Sequence, residues 1–168
     1  SLYPVIRPVL ARAWTSSPFI KRLHGVDVEA VITLDAKGRV AIPTRHRAAL
    51  LHSARSLVLT AHPDGCVLIY PLAEWEPVRA QVAAFPSFDP KASWWKRLLL
   101  GFEEHAEPDG SGRILLPPAL RQHAKLARDA MMVGQGRYFE LWDSGVWSAK
   151  LEHALSTAGA PPAGMEGF

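Results

Sequence analysis

The alternation of apolar and polar positions divides the chain into short strands and amphipathic helices. Residues 30–34 (Ala-Val-Ile-Thr-Leu) are β-prone and end at Asp35, which predicts a strand. Asp35-Ala-Lys-Gly38 has turn chemistry: the carboxylate can accept from the backbone two residues on, and Gly38 takes a positive φ without steric cost. Arg39-Val-Ala-Ile resumes a strand, and Pro43, with no N–H for a ladder, stops it. Thr44 is placed to cap a short helix over about 45–52, with Ala48 and Leu51 inward and Arg45 and Arg47 more exposed. Strands over 57–62 and 66–70 flank Pro63-Asp64-Gly65, a hairpin turn. Pro71 at the first helical position opens a helix with Leu72, Trp75, Val82 and Phe85 broadly on one face, and Pro86 ends it. Asp89-Pro90 then reads as cap and first residue of another helix. Trp94, Trp95, Leu98, Leu99 and Phe102 make that helix apolar over much of its circumference, so it must be buried, at the joint between halves or between subunits.

The same plan then returns. A strand near 103–108 leads into Asp109-Gly-Ser-Gly112-Arg113-Ile-Leu-Leu-Pro117, which repeats Asp35-Ala-Lys-Gly38-Arg39-Val-Ala-Ile-Pro43 with Asp, Gly, Arg and Pro identical. A short helix over about 118–124 follows, then strands at 130–133 and 138–142 around Gly134-Gln-Gly136. A last helix, capped by Asp143 or Ser144, carries Trp147 and Leu151. Tyr70 and Trp75 answer to Trp142 and Trp147 at an offset two residues shorter than that of the motif, so the second copy has lost two residues, most simply in its hairpin loop. Two copies mean a duplicated module, not a solenoid. A half of roughly 70 residues would bury only about 60% of its unfolded surface, so the halves are expected to share a core. The predicted fold class is α+β, mainly β. Its segments are an N-terminal extension (1–24), a first module (25–88), a bridging helix (89–102), a second module (103–153) and a disordered tail (154–168).

Charge changes the picture locally. The net charge of +3 is accounted for by Arg7, Arg12, Lys21 and Arg22, and the rest of the chain is near neutral. Residues 36–63 carry Lys37, Arg39, Arg45, Arg47 and Arg55 with no acid, and residues 111–128 carry Arg113, Arg121, Lys125 and Arg128 with no acid. Basic clusters at the same place in both repeats are what paired polyanion-binding surfaces need. The plainer alternative is two solvated faces. Residues 1–24 contain Pro4, Pro8 and Pro18 and have no counterpart in either repeat. They read as a flexible basic arm, a packing arm or an artefact of the assigned start, and not as a signal peptide.

Several classes of chemistry find no support. No run of 18 apolar residues predicts a membrane span. The single Cys66 excludes an internal disulfide, and the scattered histidines lack metal-ligand spacing. No nucleophile motif or paired-carboxylate constellation is present, and Gly134-Gln-Gly136 lacks the third glycine of a dinucleotide loop. Neither an enzyme, a cofactor nor a small-molecule substrate is expected. What remains is Asp-x-x-x-Arg across a tight turn. There the carboxylate can hold the guanidinium fork in one orientation, ready for a phosphate or a guanine edge. A surface ion pair that merely pins the turn, worth about 0–1 kcal/mol, is the alternative for a single copy; two copies in matching acid-free segments favour binding.

With these residues in place, the chain resembles the MraZ family of bacterial transcriptional regulators, built from two AbrB-like modules. The resemblance covers about residues 30–153. It rests on Leu34-Asp-Ala-Lys-Gly-Arg-Val-Ala-Ile-Pro-Thr-Arg-His-Arg47, Leu68-Ile-Tyr-Pro-Leu-Ala-Glu-Trp75, Arg97-Leu-Leu-Leu-Gly101, Asp109–Pro117 and Val133 through Asp143, in that order. It implies a double swapped-hairpin (double-psi-like) barrel with flanking helices. It implies a cytoplasmic, nucleoid-associated DNA-binding protein, assembled as a homo-oligomeric ring, with no membrane partner. The implied target is a set of short direct repeats in double-stranded promoter DNA upstream of its own division and cell-wall cluster, which it represses. The implied DNA-binding residues are Asp35 and Arg39 with Asp109 and Arg113, whether the second pair meets DNA or a neighbouring subunit; Lys37, Arg45, Arg47 and Arg121 join them from the charge pattern. The departure lies at the N-terminus, where residues 1–24 are extra and Gly25 stands too far from Asp35 to fit the family's opening segment. AbrB-like modules also serve as antitoxins bound to a protein partner, which is the rival expectation.

Overall fold

A computed structural model describes residues 28–51, 56–159 and 163–164. The extension 1–24, Gly25, Arg55, and residues 160–162 and 165–168 of the expected disordered tail lie outside the described residues; residues 154–157 of that tail are instead the last turn of a helix. The described elements run β1 (Val28–Thr33), β2 (Arg39–Ala41), α1 (Thr44–Leu50), β3 (Leu57–His62), β4 (Cys66–Pro71), α2 (Leu72–Ala83), α3 (Pro90–Leu99), β5 (Glu104–Ala106), β6 (Arg113–Leu115), α4 (Pro118–His123), β7 (Asp129–Gly134), β8 (Phe139–Asp143) and α5 (Ser144–Thr157). The architecture is mixed α+β, with all strand pairs antiparallel.

The repeats exchange strands. In the six-stranded sheet, ordered β1-β7-β8-β4-β3-β5, the opening strand of each repeat pairs with the other repeat's hairpin: β1 with β7, and β5 with β3. The motif strands β2 and β6 leave this sheet and pair with each other, Val40 opposite Ile114, as a two-stranded ribbon. The described ladders thus form an open sheet and a separate ribbon, and no ladder closes them into the expected barrel.

Strand alternation builds two cores on the two faces of the sheet. Val67 and Ile69 of β4 point to one side, where Val40, Ile42, Ile114 and Leu116 of the ribbon, Leu50 and Leu120 of the short helices, and Met132 and Leu141 meet, nearly all fully buried. Cys66, Leu68 and Tyr70 point to the other side, under Trp75 and Val82 of α2, Leu99 of α3, and Val146 and Trp147 of α5. Each large aliphatic side chain buried this way contributes about 1.5–3 kcal/mol. Thr60, fully buried, donates from Oγ1 to the carbonyl of Leu99 at 2.6 Å and ties the end of α3 to β3.

Local punctuation follows the turn chemistry closely. Gly38, Gly65, Gly112 and Gly136 all have positive φ. Asp89 accepts from the Ala92 N–H at 2.7 Å and Asp143 from those of Gly145 and Val146, capping α3 and α5. Four expectations fail. Pro71 ends β4 and holds the cap position of α2, which starts at Leu72, so it is not the first helical residue. Thr44 is the first residue of α1 and not its cap; Pro43 holds that position without a side-chain bond. Helix α1 buries His46 and Leu50, while Ala48 is exposed, because the ring of His46 packs edge-on to Phe139 at 4.9 Å. Helix α3 is not apolar-buried all round: Leu99 is its buried residue, and Trp94 is 62% exposed with Arg97 over its ring.

Candidate nucleic-acid interface

The two Asp-x-x-Gly-Arg turns are near copies in space. In the first, Asp35 Oδ1 accepts from the backbone N–H groups of Lys37 and Arg39, both at 2.9 Å, and Oδ2 accepts from Arg39 Nε at 2.7 Å. In the second, Asp109 Oδ1 accepts from Ser111 and Arg113 and Oδ2 from Arg113 Nε at 2.8 Å. One carboxylate thereby shapes the turn and aims the arginine. The backbone N–H of each arginine holds each carboxyl below the ordinary carboxylate range, helped at Asp35 by the Arg39 guanidinium and at Asp109 by the Ser111 N–H and then the Arg113 guanidinium. A depressed native-state value means the stabilisation is fully present above the ordinary range and is lost as pH falls through the lowered value, so both turns are intact at neutral pH.

The ribbon fixes where these arginines point. Val40 and Ile114 face the core at 0% exposure, so their neighbours Arg39, Ala41, Arg113 and Leu115 share the outer face. Both arginines remain partly exposed beside their aspartates. Lys37 and Ser111 sit exposed at the tips of the two turns.

Arg47 and Arg121, which occupy equivalent repeat positions, have a different environment from that expected of phosphate contacts. Each guanidinium lies over the glycine of the opposite repeat's turn, Arg121 over Gly38 and Arg47 over Gly112. Arg47 also donates from Nε to the Ile42 carbonyl and from Nη2 to the Ser111 carbonyl, both at 2.9 Å. The two turns are therefore cross-clamped, which explains why glycines in surface turns are buried. Arg45 is exposed on α1 and donates from Nε to His46 Nε2. The structure brings Asp35, Lys37, Arg39, Asp109, Arg113, Arg47 and Arg121 together at the ribbon, with Arg45 at its flank. Sequence reasoning missed the reciprocal clamp, although the shared repeat position of Arg47 and Arg121 was a signal for it; it also missed Leu115, the outer-face residue opposite Arg39.

The clamp yields a stability prediction. A Cβ at Gly112 would collide with the Arg47 guanidinium at φ +73°, whereas one at Gly65, φ +92°, would meet nothing within 4 Å. Gly65→Ala therefore costs only the left-handed penalty of about 1–2 kcal/mol, and Gly112→Ala costs that plus the displaced clamp. Urea unfolding of the two variants measures the difference; equal costs would mean that Arg47 moves away freely.

Comparison with known proteins agrees with this duplicated organisation. Residues 29–98 and 99–161 each match the profile of the family described as "MraZ protein, putative antitoxin-like". The chain is 51% identical over 136 residues to the Transcriptional regulator MraZ of Aromatoleum aromaticum, covering 80% of this chain and 92% of that one. It is 47% identical over 139 residues to the protein of the same name from Methylobacillus flagellatus, covering 82% and 94%, and 44% identical over 138 residues to that of Azoarcus sp., again covering 82% and 94%. With a duplicated motif, a double profile match and relatives aligned over nearly their whole length, the chain belongs to the MraZ family.

Proposed function

We propose that the protein is a sequence-specific, double-stranded DNA-binding transcriptional regulator that reads bases with the outer face of the β2–β6 ribbon. The observation that carries this reading is the placement of two arginines, each fixed by its own aspartate, on one face of a two-stranded ribbon fed by acid-free segments. A two-stranded ribbon fits the major groove, and a pre-oriented arginine fork matches guanine O6 and N7. Arg39 and Arg113 read base edges, Lys37 and Arg45 approach phosphates, and Arg47 and Arg121 hold the turns in register. The exchanged strands support an intramolecular version of the AbrB-like swapped-hairpin fold.

One ribbon per subunit, arrayed on a ring-shaped homo-oligomer, would engage successive direct repeats, with affinity from multivalency and register from spacing. The relatives' name, transcriptional regulator, supports action on a promoter. Repression of the protein's own cluster from the nucleoid in the cytoplasm is the simplest circuit of that kind.

Fluorescence anisotropy on the gene's own upstream DNA, against a shuffled duplex and across a salt series, tests the reading. Tight binding confined to the native fragment is expected, with log affinity falling with log salt at a slope of about −0.9 per phosphate neutralised. Equal weak binding to both duplexes would contradict it, and would turn attention to a protein partner.

A further inference from the structure

The ribbon is built as two half-surfaces that are almost, but not quite, equivalent. Arg39 and Arg113 occupy matching repeat positions, and so do Ala41 and Leu115. Arg39 stands opposite Leu115, and Arg113 opposite Ala41. The Ile42 N–H donates to the Gly112 carbonyl and the Leu116 N–H to the Gly38 carbonyl, so Ile42–Gly112 and Gly38–Leu116 are hydrogen-bonded pairs. By the alternation of an antiparallel ladder, Arg39–Leu115 and Ala41–Arg113 are then the close, non-hydrogen-bonded pairs, with Cα atoms about 4.5 Å apart. Leu115 is 57% exposed among basic side chains, where the equivalent position of the other repeat carries only a methyl group. A single exposed leucine is ordinary on a protein surface. This one stands directly across from an arginine whose fork is already oriented, on the face that carries the charge.

We propose that Leu115 is a specificity-determining residue: it packs on the C5-methyl group of a thymine adjacent to the guanine read by Arg39. This rests on the ribbon reading duplex DNA as set out above. A separation of about 4.5 Å between Cα atoms is close to one base-pair step of 3.4 Å, so two neighbouring side chains of one close pair meet neighbouring bases. Arginine pairs with guanine N7 and O6, and an apolar side chain is the natural partner of the thymine methyl. The Arg39 end of the ribbon also carries Lys37, while the Arg113 end carries Ser111 and Ala41. A head with true two-fold symmetry reads palindromes. Leu115 and Lys37 at one end give this head a direction along the duplex.

The experiment compares the full-length protein with Leu115→Ala on the native upstream fragment and on copies in which single thymines are replaced by uracil, which removes only the C5-methyl group. For the unaltered protein, one replacement next to a guanine in each bound repeat is expected to weaken binding about four-fold per repeat, the effect of one buried methyl. Leu115→Ala should bind the native fragment about four-fold more weakly per engaged repeat, still prefer it to shuffled DNA through Arg39, and be indifferent to that replacement. If both proteins respond equally to uracil, or if neither responds, the assignment of Leu115 is overturned while base reading by the arginines stands. A lower oligomer mass for Leu115→Ala in light scattering overturns it as well, because Leu115 is then a subunit contact. Failure of the unaltered protein to distinguish native from shuffled DNA overturns the regulator reading itself, and this inference with it.

Discussion

Arg39→Ala is expected to abolish discrimination between the native upstream fragment and shuffled DNA while the fold and the assembly persist. Arg39 gives up one Nε bond to Asp35 at 2.7 Å on a surface where both side chains are partly exposed. An exposed pair of this kind contributes about 0–1 kcal/mol to folding, and Asp35 keeps its backbone bonds from Lys37 and residue 39 to hold the turn. On DNA the same guanidinium is a bidentate base contact, worth about 1–3 kcal/mol of discrimination per site. Multiplied over the ribbons of a multivalent assembly, that loss takes specific binding down to the non-specific level. Arg39→Lys should not restore it, since a point charge lacks the planar fork. Anisotropy and light scattering on the same samples decide the matter. Loss of the oligomer together with binding would make the motif a structural element.

Trp75→Ala should produce the largest loss of stability and leave DNA specificity unchanged. Trp75 is fully buried in α2, against Tyr70 with ring centroids 5.3 Å apart, on the side of the sheet away from the ribbon. Truncating a buried tryptophan costs about 3–5 kcal/mol in lost transfer energy and cavity. At about 2–4 °C per kcal/mol for a chain of this size, the melting temperature should fall by roughly 6–20 °C. Trp75 Nε1 has no hydrogen-bond partner among the described residues, so Trp75→Phe forfeits no bond and should recover most of the stability. A thermal melt with anisotropy at low temperature tests both halves. Lost specificity in the folded variant would mean that the two faces of the sheet are coupled.

The turns were legible in the sequence because their chemistry is local. An aspartate, a glycine three residues on and an arginine one further determine the carboxylate bonds, the positive φ and the ion pair without help from the rest of the chain. The same holds for the caps at Asp89 and Asp143. The strand exchange was not legible, since β1 carries nothing in its own residues that prefers β7 to a nearer partner. The clamp of Arg47 on Gly112 is long-range in the same way, joining residues that only the β2–β6 pairing brings together. Helix α1 is too short for periodicity to fix its inner face, and packing of His46 on Phe139 decided it instead. In α3, aromatic content alone could not separate a buried Leu99 from an exposed Trp94.

The central claim is that DNA meets the ribbon and not the helical side, and exposed apolar side chains mark both places. Leu115 lies on the ribbon at 57% exposure, and Phe88 and Trp94 lie on the helical side at 101% and 62%. Hydroxyl-radical footprinting of side chains with and without the native upstream duplex compares them in one sample. The account predicts that Leu115 loses its labelling on adding DNA while Phe88 and Trp94 keep theirs. DNA-dependent protection of Phe88 and Trp94 with Leu115 unchanged would contradict it.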